Sequence, residues 1–193
     1  MLDNLDKYKI ILASGSPRRK ELLKQLGIKF EVKVLEGIEE SYPKDLPLSQ
    51  IAPFLSLLKA KAYSDLVIPD KLIITADTIV ICDGKMLGKP TDLDDAKSML
   101  RFMSGKSHTV ISGVTVLSRD RTETISVNTS VTFGELSKEE ISYYVENFRP
   151  LDKAGAYGIQ EWIGGVAVKR IDGSFYNVMG LPIHQLYNLL KTF

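Results

Sequence analysis

YKIILASGSPRRKELLKQLG, residues 8–27, decides the fold. Residues 8–13 are an isoleucine-rich apolar run bounded by Ser-Gly-Ser, the pattern of a buried strand. A helix follows at once: Ser16 suits the N-cap, and Pro17 suits the first helical position, where its fixed φ and missing donor cost nothing. Leu22, Leu23 and Leu26 then make an inner face, with Gly27 as a stop. A buried strand turning directly into a helix is the unit from which α/β sheets are built.

Outward from this unit the same alternation continues. Phe30, Val32 and Val34 alternate with charges, predicting a half-exposed strand. Leu55, Leu58, Ala62 and Leu66 share a helical face, with Pro53 leaving the start of that helix open. Residues 72–76 read as a second buried strand that exits at Asp77 and Thr78. Residues 79–82 and 85–87 flank Asp83-Gly84, a hairpin with a type I′ turn. Thr91 is the expected cap of a helix carrying Leu93, Ala96, Leu100 and Met103, which ends at Gly105.

Residues 107–117 and 123–133 form a long antiparallel ribbon, and Ser137 with Glu140 is a capping box opening a helix that Pro150 closes. A glycine-rich loop over 152–165 leads to a strand over 166–171, an Asp-Gly turn at Asp172 and a last helix over about 182–191. No internal repeat or linker interrupts the chain, so residues 1–193 are expected to form a single mixed α/β domain.

The 193 residues are 44% hydrophobic and 25% charged, which excludes disorder, collagen and a coiled coil. Lys+Arg 25 against Asp+Glu 24 gives a net charge of +1, without the basic excess that nucleic-acid binding draws on. Cys82 is the only cysteine, which excludes an intrachain disulfide and a multi-thiolate zinc site and fits a reducing cytosol. The start carries acidic residues where a signal peptide needs positive charge, and no apolar run reaches the length of a membrane span. A cytoplasmic protein with no membrane segment is expected.

Four segments are candidates for chemistry. SGSPRR, residues 14–19, aims helix N-terminal N–H groups at one point, and Arg18 and Arg19 oppose the helix dipole there unless an anion is the partner. Asp77 interrupts an apolar strand where it is expected to leave the sheet, the position at which ligands of open α/β sheets bind. Its alternatives are a turn cap, a general base or a metal ligand. Lys59, Lys89, Glu39 and Glu40 are scattered charges, each more often solvated than functional. Gln160, in the loop DKAGAYGIQ at 152–160, carries an amide that both donates and accepts, as base recognition requires. Gly105-Lys106-Ser107 lacks the preceding glycine and strand of a phosphate loop, and the two histidines, His108 and His184, lack metal-ligand spacing.

ASGSPRRKELL at 13–23, ADTIV at 76–80, LGKP at 87–90, SGKSHTVISGV at 104–114, DKAGAYGIQ at 152–160 and VMGLP at 178–182 together resemble the Maf family of nucleoside triphosphate pyrophosphatases. The GAYGIQ form is similar to the branch acting on dTTP and UTP. The resemblance implies a fold like that of inosine triphosphatase, with two lobes and a central cleft, a cytoplasmic location and often a homodimer. It implies hydrolysis between the α and β phosphates with Mg²⁺ or Mn²⁺, and a reputation in septum formation that leaves a non-catalytic nucleotide-binding regulator of cell division as the alternative. Carried onto this sequence, it makes Asp77 the proton acceptor and Arg18, Thr78 and Gln160 the determinants of substrate choice. Ser14, Arg18, Arg19, Lys59 and Lys89 would hold phosphates, and Glu40 and Asp77 the metal. Glu161 and Trp162 depart from the glycine that relatives usually place after Gln160.

Overall fold

A computed structural model of the chain describes residues 2–66 and 70–193. Strand β1, Lys9–Leu12, buries its last three residues and turns through Ser14 into helix α1, Pro17–Lys24. Ser16 Oγ accepts from Arg19 N at 3.5 Å and Pro17 takes the first helical turn, as the sequence predicts. Strand β2, Phe30–Val32, pairs parallel with β1, placing Phe30 opposite Ile10.

Helix α2, Leu48–Lys61, takes Pro53 inside it and stops short of Leu66, which falls in the 3-10 turn Ser64–Leu66. Pro53 has no N–H, and β-ribbon backbone occupies that side of the helix. A Cβ on Gly113 would lie 2.3 Å from Pro53 N and 2.4 Å from Ala52 O, so only glycine permits the approach.

Strand β3, Lys71–Cys82, runs through the position where the sequence predicts a strand end. Its parallel register with β1 finishes at Leu12 and Ile74, and its antiparallel register with strand β4, Lys85–Leu87, begins at Val80 and Leu87. Asp77 therefore lies within one continuous strand, between two pairings, because β3 exchanges one partner for the other without leaving the sheet. Asp83 and Gly84 both have positive φ, 48° and 71°, which gives the expected hairpin turn.

Helix α3, Leu93–Met103, is capped by Asp92 instead of Thr91. Asp92 Oδ1 accepts from Asp95 N at 2.8 Å, and Thr91 donates its N and Oγ1 to Asp95 Oδ2 at 2.9 and 3.3 Å. Strands β5, Ser107–Leu117, and β6, Thr122–Phe133, are the expected ribbon. Helix α4, Lys138–Phe148, opens on the Ser137/Glu140 capping box and ends at Arg149 in the left-handed region, before Pro150.

The glycine-rich loop contains structure that its composition hides. Helix α5, Trp162–Ala167, occupies residues read as loop and as the start of a strand, and strand β7 is Val168–Asp172. Ile163 and Ala167, four residues apart, are buried on one face, so packing overrides the poor helix propensity of Gly164 and Gly165. The short helix α6, Phe175–Val178, was not expected, and helix α7, Ile183–Leu190, is.

The strands form one seven-stranded mixed sheet in the order β2-β1-β3-β5-β6-β7, with β4 paired to β3. The α/β class and the single mixed sheet are thus as expected. By compactness the chain divides into two units. The first is 1–77, 112–127 and 180–193; the second is 78–111 and 128–179. Ile11, Ala13, Tyr63 and Ile73 pack together in the first. Leu100, Met103, Phe133, Tyr144 and Ile163 anchor the core of the second.

Candidate active site

In the first unit a buried chain of polar groups sets α2 against β3. Thr75 Oγ1 donates to Ser56 O at 2.7 Å, and Ser56 Oγ shares a 2.9 Å hydrogen bond with Thr115 Oγ1; all three residues are fully buried. The periodicities do the rest. Asp77 lies two residues beyond Thr75 on the same face of the strand, and Lys59 lies three beyond Ser56, one turn on along the helix. Lys59 Nζ accordingly donates to Asp77 Oδ1 at 2.6 Å.

The same ammonium pairs with Glu40 Oε2 at 2.9 Å. Glu40 comes from an irregular segment whose start is fixed by Tyr63, which accepts from Leu35 N at 2.8 Å and donates to Lys33 O at 2.9 Å. Lys59 and Asp77 expose 15% and 13% of their side chains, Glu40 51%, so solvent reaches the cluster from the Glu40 side.

Arg19 is fastened by carbonyl oxygens. Its Nε donates to Gly180 O at 2.9 Å and its Nη1 to Ala76 O at 2.8 Å, with Ser14 Oγ a further acceptor at 3.4 Å. Burial pushes the guanidinium below its ordinary pKa; Asp77 and Glu40 oppose that, while Arg18 adds to it. The guanidinium therefore lies within the field of both carboxylates while its fork is held by backbone, an arrangement that orients it for an anion.

Ser14, Arg19, Glu40, Lys59 and Asp77 are thus brought together within one unit. Arg18 is half-buried beside Arg19, and Thr78 follows Asp77 on β3, also half-buried. Lys89 is exposed on the loop after β4, and Gln160 is exposed on a turn before α5, both in the second unit. The carbonyls of Ala76 and Gly180 that hold Arg19 were not foreseen; the ADTIV and VMGLP stretches contain them, but nothing in composition marks a carbonyl as an anchor.

His108, in the second unit, is a buried imidazole with no part in this cluster. Its Nε2 is 2.8 Å from the Tyr157 hydroxyl, Phe133 packs edge-on at 4.8 Å, and burial pushes its pKa down to about 4. Cys82 is buried too, with its thiol pushed up by burial, which leaves it unreactive. Among the described residues no group of three or more His, Cys, Asp or Glu side chains is placed to hold a metal by itself.

Fold and site together define an α/β protein that gathers cations and carboxylates where β3 leaves the β1 register, equipment for a phosphorylated anion. A family model described as Maf-like protein matches residues 9–193, and the chain belongs to the Maf family. It is 57% identical over 191 residues to the dTTP/UTP pyrophosphatase of Phocaeicola vulgatus, covering 99% of both chains. It is 54% identical over 195 residues to the dTTP/UTP pyrophosphatase of Porphyromonas gingivalis, covering 100% of this chain and 98% of that one. Over 191 residues it is also 54% identical to the Bacteroides thetaiotaomicron protein of the same name, covering 99% of both. The solved structure of the Staphylococcus aureus Ham1 protein superposes with a TM-score of 0.56 at 15% identity, covering 95% of this chain and 98% of that chain, which shows a shared fold.

Proposed function

We propose that the protein hydrolyses dTTP and UTP between the α and β phosphates, releasing the nucleoside monophosphate and pyrophosphate. The observation that carries this reading is the convergence of Asp77 and Glu40 on one cation, Lys59 Nζ, beside a guanidinium held by Ala76 O and Gly180 O. The names of the relatives supply the substrates.

The residues present fit a divalent cation. Two carboxylates already point oxygens at one positive charge, and Mg²⁺ or Mn²⁺ is usually bound by one or two carboxylates with phosphate and water completing the shell. Glu40 and Asp77 would hold the ion, which would neutralise phosphate charge and lower the pKa of a coordinated water.

The chain's own residues do the remainder. Arg19 and Lys59, with Ser14, Arg18 and Lys89, would bind phosphate oxygens and stabilise the charge that develops on them. Asp77 takes the proton of the attacking water; the new bond forms to the α-phosphorus, and the bond from that phosphorus to the bridging oxygen breaks as pyrophosphate departs. Gln160 would read the carbonyl and ring N–H of uracil or thymine, with Arg18 and Thr78 sharing in substrate choice.

The family match over 9–193 supports one catalytic domain spanning residues 1–193. No helix among the described residues is long and apolar enough to cross a membrane. The lone buried thiol supports a reducing, cytoplasmic location, while the homodimer rests on the family resemblance alone.

A panel of canonical and modified nucleoside triphosphates with Mg²⁺ or Mn²⁺, read for pyrophosphate against single phosphate release, tests the reading. Pyrophosphate release strongest with dTTP and UTP is expected. Metal-independent nucleotide binding without any release would overturn it in favour of the non-catalytic regulator.

A further inference from the structure

Gln160 stands at the third position of a tight turn over 158–161, closed by Glu161 N donating to Gly158 O at 2.9 Å. Both ends of the turn are tied to a single oxygen. Gly158 N donates to the Tyr144 hydroxyl at 3.0 Å, and that hydroxyl donates to Glu161 Oε2. An ionised carboxylate only accepts, so the phenol's one proton goes to Glu161 and its lone pair receives the amide. The direction of both hydrogen bonds is thereby fixed.

The other Glu161 oxygen meets Lys153 Nζ at 3.1 Å. Lys153 is 8% exposed and also donates to Asp152 Oδ1 at 2.7 Å, so a buried ammonium is balanced by two carboxylates. Tyr144 is fully buried on α4, a helix closed at its start by a capping box, and so provides a rigid post. A Cβ on Gly158 would lie 2.8 Å from Glu161 Cδ, so the carboxylate packs directly against the turn it holds. Tyr144 and Lys153 are buried and Glu161 is half-buried, whereas Gln160 is exposed on the crest of the turn.

We infer that Glu161 is a positioning residue: held between Tyr144 and Lys153, its carboxylate fixes the turn that presents Gln160, and through it the pyrimidine edge that the amide reads. This rests on the base-reading role proposed for Gln160. An amide pairs with one base edge and rejects another only if its orientation is set; released, it bonds either edge, and the site's polar groups no longer penalise a mismatch. The posts on either side of the Glu161 carboxylate, Tyr144 and Lys153, are buried and the reader is exposed, which is the division that such a device requires.

The test combines hydrogen exchange of the 158–161 amides with kcat and KM for dTTP, UTP, dCTP and CTP in the full-length protein. Glu161→Ala and the nearly isosteric Tyr144→Phe should each speed exchange at Gly158 and Glu161 about tenfold or more while leaving α3 at the wild-type rate. Each should lower the preference for dTTP over dCTP about tenfold, through KM. Glu161→Gln, which keeps an acceptor for Tyr144, should fall between wild type and Glu161→Ala. In the double variant Gln160→Ala/Glu161→Ala the preference should be no lower than in Gln160→Ala. Wild-type exchange in both anchoring variants, or a further loss of preference in the double variant, overturns the inference. An unchanged ranking in Gln160→Ala together with faster exchange in Glu161→Ala removes Gln160 from recognition, and the specificity half of the inference with it, while supporting the anchoring half.

Discussion

Asp77 and Lys59 are joined at 2.6 Å with both side chains largely out of water, and Glu40 supplies a second carboxylate to the same ammonium. Removing the Asp77 charge takes away the proposed proton acceptor but leaves Lys59 one partner. Asp77→Asn should therefore lower kcat by about 10²–10⁴-fold with an unchanged circular dichroism spectrum; wild-type turnover would remove Asp77 from the chemistry. His108 makes a different residue-scale prediction. Its folded pKa of about 4 lies below the ordinary 6.5, so between those values the unfolded chain takes up a proton that the native chain refuses. Stability from this group is full above pH 6.5 and falls with pH toward 4, by up to about 3 kcal/mol. Urea midpoints measured from pH 7 to 4 should fall less steeply in His108→Gln than in wild type.

At the scale of elements, α2 is placed by contacts that neither its propensity nor its pattern contains. The buried Ser56, Thr75 and Thr115 fix its register against β3 and β5, and Gly113 lets the β5 backbone reach Pro53 and Ala52. Because the three nearest contacts to a Cβ there are all with backbone atoms, relaxation must move a strand or a helix. Gly113→Ala is expected to cost about 3 kcal/mol or more, seen as a lower melting temperature, and to reduce turnover in the surviving folded fraction by displacing Lys59 from Asp77. A melting temperature equal to that of wild type would show that the approach is less tight than the geometry states. The loop before α5 follows the same logic: glycine content predicts irregular chain, whereas Tyr144, Lys153 and Glu161 order it.

At the scale of the whole molecule, the near-neutral balance of 25 basic and 24 acidic residues conceals local concentration. Arg18, Arg19, Lys59, Glu40 and Asp77 lie in one compact unit, while Lys89 and Gln160 belong to the other. The cores are built from apolar side chains, and the carboxylates proposed to hold the cation, Glu40 and Asp77, are already paired with Lys59 in the folded chain. EDTA should accordingly abolish pyrophosphate release and leave the melting temperature of the nucleotide-free protein unchanged. A large fall in melting temperature on chelation would place a structural metal in the protein.

Local sequence by itself determined the parts of this protein whose causes are local. The Ser16 and Ser137 caps, the Asp83-Gly84 hairpin, the β5–β6 ribbon and the α/β alternation depend on neighbours a few residues away, and all are found as read. The motifs named the candidate site residues, but not their partners. Tertiary structure alone decided that β3 runs on past Asp77, that Asp92 and not Thr91 caps α3, and that Trp162–Ala167 is a helix. It also decided that Lys59 meets two carboxylates and that Arg19 is held by the carbonyls of Ala76 and Gly180. The reason is physical: a continuing strand, a chosen cap, a buried ion pair and a carbonyl anchor each depend on which groups are desolvated together, and that is set by packing between segments far apart in the chain.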